Sequence, residues 1–158
     1  MSNSGAGLAL DSWEAFLAAH RELFRIFSEE ENLWIEVSMK EYDVLYTLAK
    51  ADEPLRLCDL SDGVLLSQPA LSRMVDRLID RGFLLKDPDP DDKRATRLSL
   101  TERGAELQRE IGWGHGKSIY QELRSRLTPE EQRELRRLCE KLVAPLADGE
   151  DDEEGENS

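Results

Sequence analysis

The chain has 158 residues, of which 34 are acidic and 21 are basic, and its net charge at neutral pH is −13. That length allows one domain with a hydrophobic core, or a small domain with an assembly region. No apolar run approaches the ~20 residues of a membrane span, and the N-terminus lacks the basic patch and apolar stretch of an export signal. The two cysteines, Cys58 and Cys139, have no metal-ligand spacing. We therefore expect a cytoplasmic protein without a membrane segment, a metal site or a cofactor.

The first third of the chain predicts a helix with a wide apolar face. Residues 1–9 are small and polar, and we expect them to form a flexible leader. Asp11 and Glu14 have the spacing of a capping box, with Asp in place of Ser or Thr. Aromatic and aliphatic side chains then recur at helical intervals as far as Phe27. A face this wide requires a partner surface.

Two short helices and a strand are predicted next. A second capping box at 38–41 opens a helix, and the side chains that face inward are Tyr42, Leu45, Leu48 and Ala49. Alternating polarity at 55–57 predicts a single short strand. Residues 58–64 predict a brief helix that Leu60 anchors in the core.

Residues 66–104 carry the most informative pattern in the chain. Ser67 and Pro69 are typical of a helix start, and Gly82 is typical of a helix end. This helix separates an apolar side from a polar side. Two strand-like runs follow at 83–86 and 97–100, joined by a turn rich in Pro and Asp. With Thr101 capping the next helix, the order of elements predicts a winged helix-turn-helix.

Two helices and an acidic tail complete the chain. The first runs from Thr101 to about residue 126 and contains three glycines at 112–116, which predict a kink or the close approach of another helix. The second begins at a third capping box, 128–131, and carries an apolar stripe that includes Cys139. We expect the tail from residue 148, which holds seven acidic and no basic residues, to be disordered.

The segment 38–104 resembles the MarR family of winged helix transcription regulators. The resemblance rests on the run Pro-Ala-Leu-Ser-Arg-Met-Val-Asp-Arg-Leu at 69–78, on Asp-Arg-Gly at 80–82, on the wing run at 87–94, and on Leu-Ser-Leu-Thr-Glu-Arg-Gly at 98–104. It implies a homodimer that places two recognition helices on a pseudo-palindromic DNA site. It also implies a repressor that a small effector, often an aromatic anion, releases from DNA.

The expected fold is therefore mainly α with a small β-hairpin wing. The expected organisation is a winged helix-turn-helix DNA-binding domain joined to a helical dimerisation region. Its parts are a leader at 1–9, an N-terminal dimerisation helix at 10–30, the DNA-binding domain at 38–104, C-terminal dimerisation helices at 105–147 and the tail at 148–158.

The resemblance assigns DNA contact to residues of the second helix-turn-helix helix and of the wing tip. Asp92 is expected to orient Arg94, because a carboxylate beside phosphate is otherwise unfavourable. Periodicity alone leaves an alternative, in which Arg73 and Arg77 form ion pairs with Asp76 and Asp80 on a solvated face. The alternative for the wing, which has four aspartates, is an acidic loop exposed to solvent. The predicted DNA-binding residues are Ser67, Gln68, Ser72, Arg73, Arg77, Lys93 and Arg94.

An effector site is predicted only through the resemblance. Trp13, His20, Trp113 and His115 are the candidates for its lining, and packing in the core is the alternative role for each. Two histidines without convergent ligands do not predict a metal site. A redox switch is not expected, because the reactive thiol of redox-sensing relatives lies in the first helix, and this first helix has no cysteine.

Two other functions remain compatible with the sequence. The acidic balance favours a winged-helix protein-interaction module with little DNA affinity, although the three arginines Arg73, Arg77 and Arg94 argue against it. The other is a small-molecule-binding or catalytic protein built on the Trp and His residues. The chain has no phosphate-binding loop, Gly-x-Ser-x-Gly elbow or His-Glu-x-x-His pair, so we expect no enzyme.

The distribution of charge bears on DNA binding. Residues 54–104 carry nine basic and nine acidic side chains, so the predicted DNA-binding segment is neutral as a whole. We expect modest, strongly salt-dependent affinity, with Arg73, Arg77, Lys93, Arg94 and Arg97 facing phosphate together. We also hypothesise that the acidic tail competes with phosphate for this basic face, so that truncation after Ala147 strengthens nonspecific binding.

Overall fold

The computed structural model describes residues 3–61, 66–92 and 94–145, and the predicted acidic tail lies outside these residues. The described residues confirm the predicted fold, which is mainly helical with a small sheet. The elements in chain order are α1 (Asn3–Ser28), α2 (Met39–Lys50), β1 (Leu55–Arg56), α3 (Leu57–Ser61), α4 (Gln68–Asp80), β2 (Leu84–Pro88), β3 (Thr96–Leu100), α5 (Glu102–Arg126) and α6 (Pro129–Val143).

The three strands form one antiparallel sheet in the order β1-β3-β2. Strands β2 and β3 form the predicted wing hairpin, with Leu84 opposite Leu100. On the other side of β3, Leu55 lies opposite Leu98 and Arg56 lies opposite Arg97. The sheet therefore ties the segment before the helix-turn-helix to the base of the wing.

A single apolar core holds α2, α3, α4 and the sheet together. Leu45, Leu60, Leu71 and Leu78 are completely buried in it, and the start of α5 adds Leu107 and Ile111. The prediction for α2 is correct except for Ala49, which is exposed, whereas Val44 is buried. This core fixes the orientation of α4 and leaves its polar face toward solvent.

The end of α4 is the helix terminus that the sequence predicts. Gly82 has φ of 77°, in the left-handed region. Its backbone N–H donates to the carbonyl of Ile79, and the N–H of Phe83 donates to the carbonyl of Leu78, both at 2.9 Å. This pair of hydrogen bonds is a Schellman motif. It turns the chain directly into the first strand of the wing.

Two of the three predicted capping boxes are present, and the predicted side-chain cap at Ser67 is absent. The side chains of Ser38 and Thr128 each accept from the backbone N–H three residues later, and the Glu at that position returns the bond. The hydroxyl of Thr101 accepts from the N–H of Gly104 at 2.9 Å. Ser67 lies at the N-cap position of α4, but its side chain makes no capping bond.

The first helix begins earlier than predicted. It starts at Asn3, so residues 3–9 are helical and do not form the flexible leader that we expected. Asp11 accordingly lies inside α1 and is not an N-cap. The physical reason is that no proline interrupts residues 3–11, and Leu8, Ala9 and Leu10 are strong helix formers. In this helix Phe27 is buried, whereas Trp13, Phe16 and Leu17 remain exposed.

The glycines of α5 allow close approach of the rest of the winged domain. A Cβ on Gly114 would overlap the side chain of Leu33, and a Cβ on Gly112 would lie 3.0 Å from the hydroxyl of Tyr42 in α2. Gly116 has open space around it. The predicted close approach of a helix is therefore found at Gly112, and the contact at Gly114 comes from the segment between α1 and α2.

The chain divides within α5 into two compact units, between Ile119 and Tyr120. In the second unit, α6 has no buried residue, and Cys139, predicted to be in a core, is half-buried. The apolar side chains that α6 exposes are Leu135, Leu138, Leu142 and Val143. Among the described helices, none combines the length and the hydropathy needed to cross a bilayer.

Candidate nucleic-acid interface

The polar face of α4 presents most of the predicted DNA-binding residues. Its apolar face is buried through Leu71, Met74, Val75 and Leu78, and the 3.6-residue period therefore places the remaining side chains outward. Among the predicted DNA-binding residues of this segment, Ser67, Gln68, Arg73 and Arg77 are exposed, while Ser72 is half-buried.

The two arginines of this face are available for an external partner. Arg73 and Arg77 lie one turn apart, and neither forms an ion pair with any residue that the structure describes. The alternative pairs with Asp76 and Asp80 are thus not formed. Because most other arginines of the described chain are paired with carboxylates, this face stands out as a surface of unsatisfied cationic donors.

The hydroxyl of Ser67 is likewise not used within the described part of the chain. It lies at the leading end of α4, and no capping bond engages it. A helix of this kind docks with its N-terminal residues toward the base edges of DNA. The absence of the predicted cap therefore leaves a hydroxyl donor and acceptor at the leading end of α4.

At the wing tip the structure describes Arg94 but not Lys93. Arg94 is exposed, and its backbone N–H donates to Oδ1 of Asp92 at 3.0 Å. Asp92 is the predicted orienting residue, but its described bond is to the backbone of Arg94 and not to the guanidinium. The carboxylate fixes the turn, and the arginine side chain projects from it.

The base of the wing is organised by a buried carboxylate that the sequence analysis did not identify. The side chain of Asp89 is completely buried. Its Oδ2 accepts from Nε of Arg56 at 2.7 Å and from Nε of Arg97 at 2.8 Å. Its Oδ1 accepts from the backbone N–H of Asp91 at 2.8 Å and of Asp92 at 3.2 Å. We call Asp89, Arg56 and Arg97 the Asp89 cluster.

The electrostatics of the Asp89 cluster are mutually reinforcing. Hydrogen bonds from Arg56 and then Arg97 hold the pKa of Asp89 far below its usual range. The same carboxylate raises the pKa of Arg56 and of Arg97. Arg97, which was predicted to face phosphate with the other wing cations, is therefore bound through its Nε to Asp89.

The signals for this cluster in the sequence are weak. Asp89 precedes Pro90, Asp91 and Asp92 in a pattern that suits an Asx turn, but four aspartates in eight residues do not reveal which one is buried. Arg56 follows the alternation of a short strand. Only the register of β1 against β3 shows that Arg56 reaches the wing.

Comparison with known proteins relates the winged segment to one family. The model of the MarR family matches residues 37–96, which include α2, the helix-turn-helix and most of the wing. Over 74 residues the chain is 36% identical to the multiple antibiotic resistance protein MarR of Salmonella typhimurium, an alignment that covers 47% of this chain and 51% of that protein. The winged helix-turn-helix segment of this chain is therefore similar to that of the MarR family. The chain spans about half the length of the curated MarR proteins that it matches.

Solved MarR-family structures share the fold over most of their length. The regulator Sco3205 of Streptomyces coelicolor, solved in complex with DNA, is 28% identical, with a TM-score of 0.72 over 87% of this chain and 89% of its own. The regulator PcaV of Streptomyces coelicolor, solved in complex with its natural ligand, is 27% identical, with a TM-score of 0.64 over 78% of this chain and 88% of its own.

The predicted effector residues are not brought together in the single chain. Trp13 and Trp113 are 57% and 76% exposed, and His20 is exposed on α1. Among the described residues, no ring contact joins these three to one another or to His115. The single chain therefore does not bring these four residues together, and the shared effector lining stays a prediction.

His115 instead forms part of an aromatic cluster. Its ring makes edge contacts with Phe27 at 5.4 Å, Trp34 at 5.3 Å and Tyr42 at 5.8 Å between centroids. Burial lowers the pKa of His115, with Glu30 opposing the shift. The neutral imidazole therefore packs where α1, α2 and α5 meet, and core packing, the alternative role considered for it, describes His115 better than a ligand contact does.

A recess lies beside this cluster. It has a volume of about 350 Å³, and its apolar lining comes from Phe24, Trp34, Ile35, Val37 and Met39. Lys40 supplies a cation at its edge. Glu36 adds a carboxylate to the same lining. The lining suits a small apolar or aromatic molecule better than the separate positions of Trp13 and Trp113 do.

Proposed function

We propose that this protein is a sequence-specific DNA-binding transcriptional regulator. The observation that carries the proposal is the pair of unpaired, exposed arginines, Arg73 and Arg77, on the outward face of α4. Arginine offers a bidentate fork that matches guanine or phosphate. The wing adds Arg94, and the backbone N–H of Arg94 donates to the carboxylate of Asp92. The DNA complex of the related Sco3205 supports the same use of the fold.

We further propose that it acts as a homodimer. In the first unit α1 exposes Trp13, Phe16 and Leu17, and in the second unit α6 exposes the four apolar side chains named above. Exposed apolar faces of this extent mark surfaces for protein association. A two-fold dimer would present two copies of α4 to a pseudo-palindromic site.

Repression that a small ligand relieves is the regulatory outcome that we propose. The ligand complex of the related PcaV and the recess beside His115 support it. Such a ligand acts by binding one conformation of the dimer more tightly than another, which shifts the population away from the DNA-competent state. Release of DNA by salicylate, used as a probe aromatic anion, would test the step.

The experiment that tests DNA binding is a selection from random duplex DNA at low salt. The wild type is compared with the double variant Arg73→Ala, Arg94→Ala. A matched control, Arg25→Ala with Arg136→Ala, removes two charges from α1 and α6 instead. We expect the wild type and the control to enrich the same pseudo-palindrome, and the interface variant to enrich none.

A different outcome would favour the second candidate function. The net charge of −13 and the acidic wing are the observations that favour a winged-helix protein-interaction module. If the folded wild-type dimer enriched no sequence, the proposal of specific DNA binding would be rejected. If the control variant lost enrichment as completely as the interface variant, α4 and the wing would not be the reading surface.

A further inference from the structure

The Asp89 cluster contains an arrangement that does not favour the stability of a sheet. Arg56 and Arg97 are direct partners across β1 and β3, and like charges directly opposite each other destabilise a strand pair. One buried carboxylate, Asp89, lies between them and offsets one of the two charges. The cluster therefore keeps an excess positive charge at the base of the wing.

The terminal nitrogens of Arg56 and Arg97 make no hydrogen bond to Asp89. Each guanidinium is held through Nε on the same Oδ2 atom of Asp89. The Nη atoms of Arg56 donate no hydrogen bond to a residue that the structure describes, although the charges of Asp92 and Asp59 also act on this guanidinium. The side chains of Arg56 and Arg97 are 37% and 23% exposed, so solvent reaches both.

Two surface carboxylates lie near Arg97 and compete for it. Nη2 of Arg97 is 3.4 Å from Asp91, and Nη1 is 3.7 Å from Glu53. The first distance is long for a charge-assisted hydrogen bond and the second exceeds one. Asp91 and Glu53 are 80% and 81% exposed, so their contacts are weak and easily exchanged for those of a stronger anion.

We propose that Arg56 and Arg97 together bind one backbone phosphate of DNA at the base of the wing, with Asp89 as their positioning residue. The proposal rests on the proposed DNA-binding function, and it adds Arg56, to which the sequence analysis assigned no DNA contact. Arg56 directly precedes α3, the first helix of the helix-turn-helix. In this motif the first helix crosses the DNA backbone, so a phosphate is the DNA group within reach there.

Anchoring through Nε is suited to this role. A guanidinium bound at Nε keeps its two terminal N–H groups in a fixed plane, and these bind phosphate as a fork. Since Asp89 already immobilises the two side chains, less conformational entropy is lost when they bind. A phosphate contact contributes affinity and register but does not read the base sequence.

The test uses the full-length protein and measures affinity for one nonspecific duplex and for the selected duplex between 50 and 200 mM salt. The variants are Arg56→Gln and Arg56→Lys. The slope of log affinity against log salt is negative, and losing one phosphate contact makes it shallower by about 0.9. We expect this change for Arg56→Gln with both duplexes, and an unchanged order of preference among sequences.

The lysine variant separates charge from geometry. Lysine keeps the charge but not the planar fork, so we expect Arg56→Lys to retain the wild-type salt slope with a lower affinity. Equal slopes for the glutamine and lysine variants would overturn the proposal. An Arg97→Gln variant, with its melting temperature measured beside that of Arg56→Gln, provides a second reading if one variant does not fold.

The matched control is Arg25→Gln, which makes the same change in net charge on α1, where Arg25 is paired with Glu22 and Glu29. We expect it to keep the wild-type slope. If the wild type binds DNA and Arg56→Gln behaves as Arg25→Gln does, the phosphate site is wrong while the proposed function stands. If the wild type binds no DNA at 50 mM salt, the proposed function itself fails.

Discussion

Gly104 of α5 packs against Phe83 at the start of the wing so closely that a Cβ on Gly104 would overlap the carbonyl oxygen of Phe83. The same carbonyl accepts from the backbone N–H of Thr101 at 3.0 Å, and the N–H of Gly104 donates to the hydroxyl of Thr101 at 2.9 Å. The contact therefore joins the first turn of α5 to the point where the chain leaves α4 for the wing.

A methyl group at this position should destabilise the winged domain. We expect Gly104→Ala to lower the free energy of unfolding by roughly 1–3 kcal/mol, because the obstacle is backbone and must move. Gly116→Ala is the matched control, since a Cβ there has open space in the same helix. It should raise the free energy of unfolding by up to ~1 kcal/mol through better helix propensity. Urea unfolding of both variants checks the prediction, and equal effects would contradict it.

The left-handed conformation of Gly82 predicts a second backbone effect. At φ of 77° an alanine places its Cβ against backbone, at a cost of about 1–2 kcal/mol. We expect Gly82→Ala to be less stable than the wild type by that amount, and Gly82→Asn to lie between the two, because asparagine is the next commonest residue at this helix end. Thermal melting of the three proteins would show the order, and an alanine variant as stable as the wild type would refute it.

The lowered pKa of Asp89 predicts how stability depends on pH. Because the folded state holds the carboxylate ionised below its ordinary pKa, the contribution of Asp89 is fully present above about pH 4 and is lost as pH falls toward the folded pKa. We expect Asp89→Asn to be less stable than the wild type at pH 7, with the difference shrinking between pH 4 and pH 2. Urea titrations at four pH values measure it.

The exposed Asp91 offers the control for that experiment. Its side chain is 80% exposed, so Asp91→Asn should follow the wild-type pH dependence closely. A gap between Asp89→Asn and the wild type that stays constant down to pH 2 would mean that shape, and not the ionised carboxylate, accounts for the effect.

His115 predicts a pH effect in a different range. Burial among aromatic rings lowers its pKa, so the folded state binds a proton less readily than the unfolded chain. The contribution of neutral His115 is complete above about pH 6.5 and decreases as pH falls below that value. We expect the wild type to lose stability between pH 7.5 and pH 5.5, and His115→Phe to lose less.

The only other histidine, His20, is exposed on α1 and provides the comparison. His20→Gln should keep the pH dependence of the wild type. The titratable groups that face His115 are Glu30 and Tyr42, and neither is changed in these variants. An identical pH dependence in all three proteins would rule out His115 as its source.

The exposed face of α6 predicts the oligomeric state. We expect the wild type to sediment as a dimer and Leu138→Arg to sediment as a monomer, because a charge in the centre of an apolar interface is left unpaired. Leu138 is 45% exposed within the chain, so the monomer itself should retain its circular dichroism. Ile35→Arg, at a 78% exposed apolar residue outside α1 and α6, should remain dimeric. A monomeric wild type would reject the dimer.

The sequence alone determined the features that depend on a few neighbouring residues. The capping boxes at Ser38 and Thr128, the stop at Gly82 and the hairpin that follows it are local, because a cap or a left-handed turn is formed within four or five residues. The period of α4 likewise placed Arg73 and Arg77 on the polar face, since burial of one face decides the other. The family resemblance rests on this same local stretch.

The tertiary structure decided the features that join residues distant in the chain. Asp89 binds Arg56, 33 residues away, and no local pattern distinguishes it from the other wing aspartates. Gly104 packs against Phe83, 21 positions earlier in the chain. His115 contacts Phe27, which precedes the whole winged domain in the chain. Such contacts depend on the register of β1 against β3 and on the shared core, because long-range packing selects among side chains that local propensity treats alike.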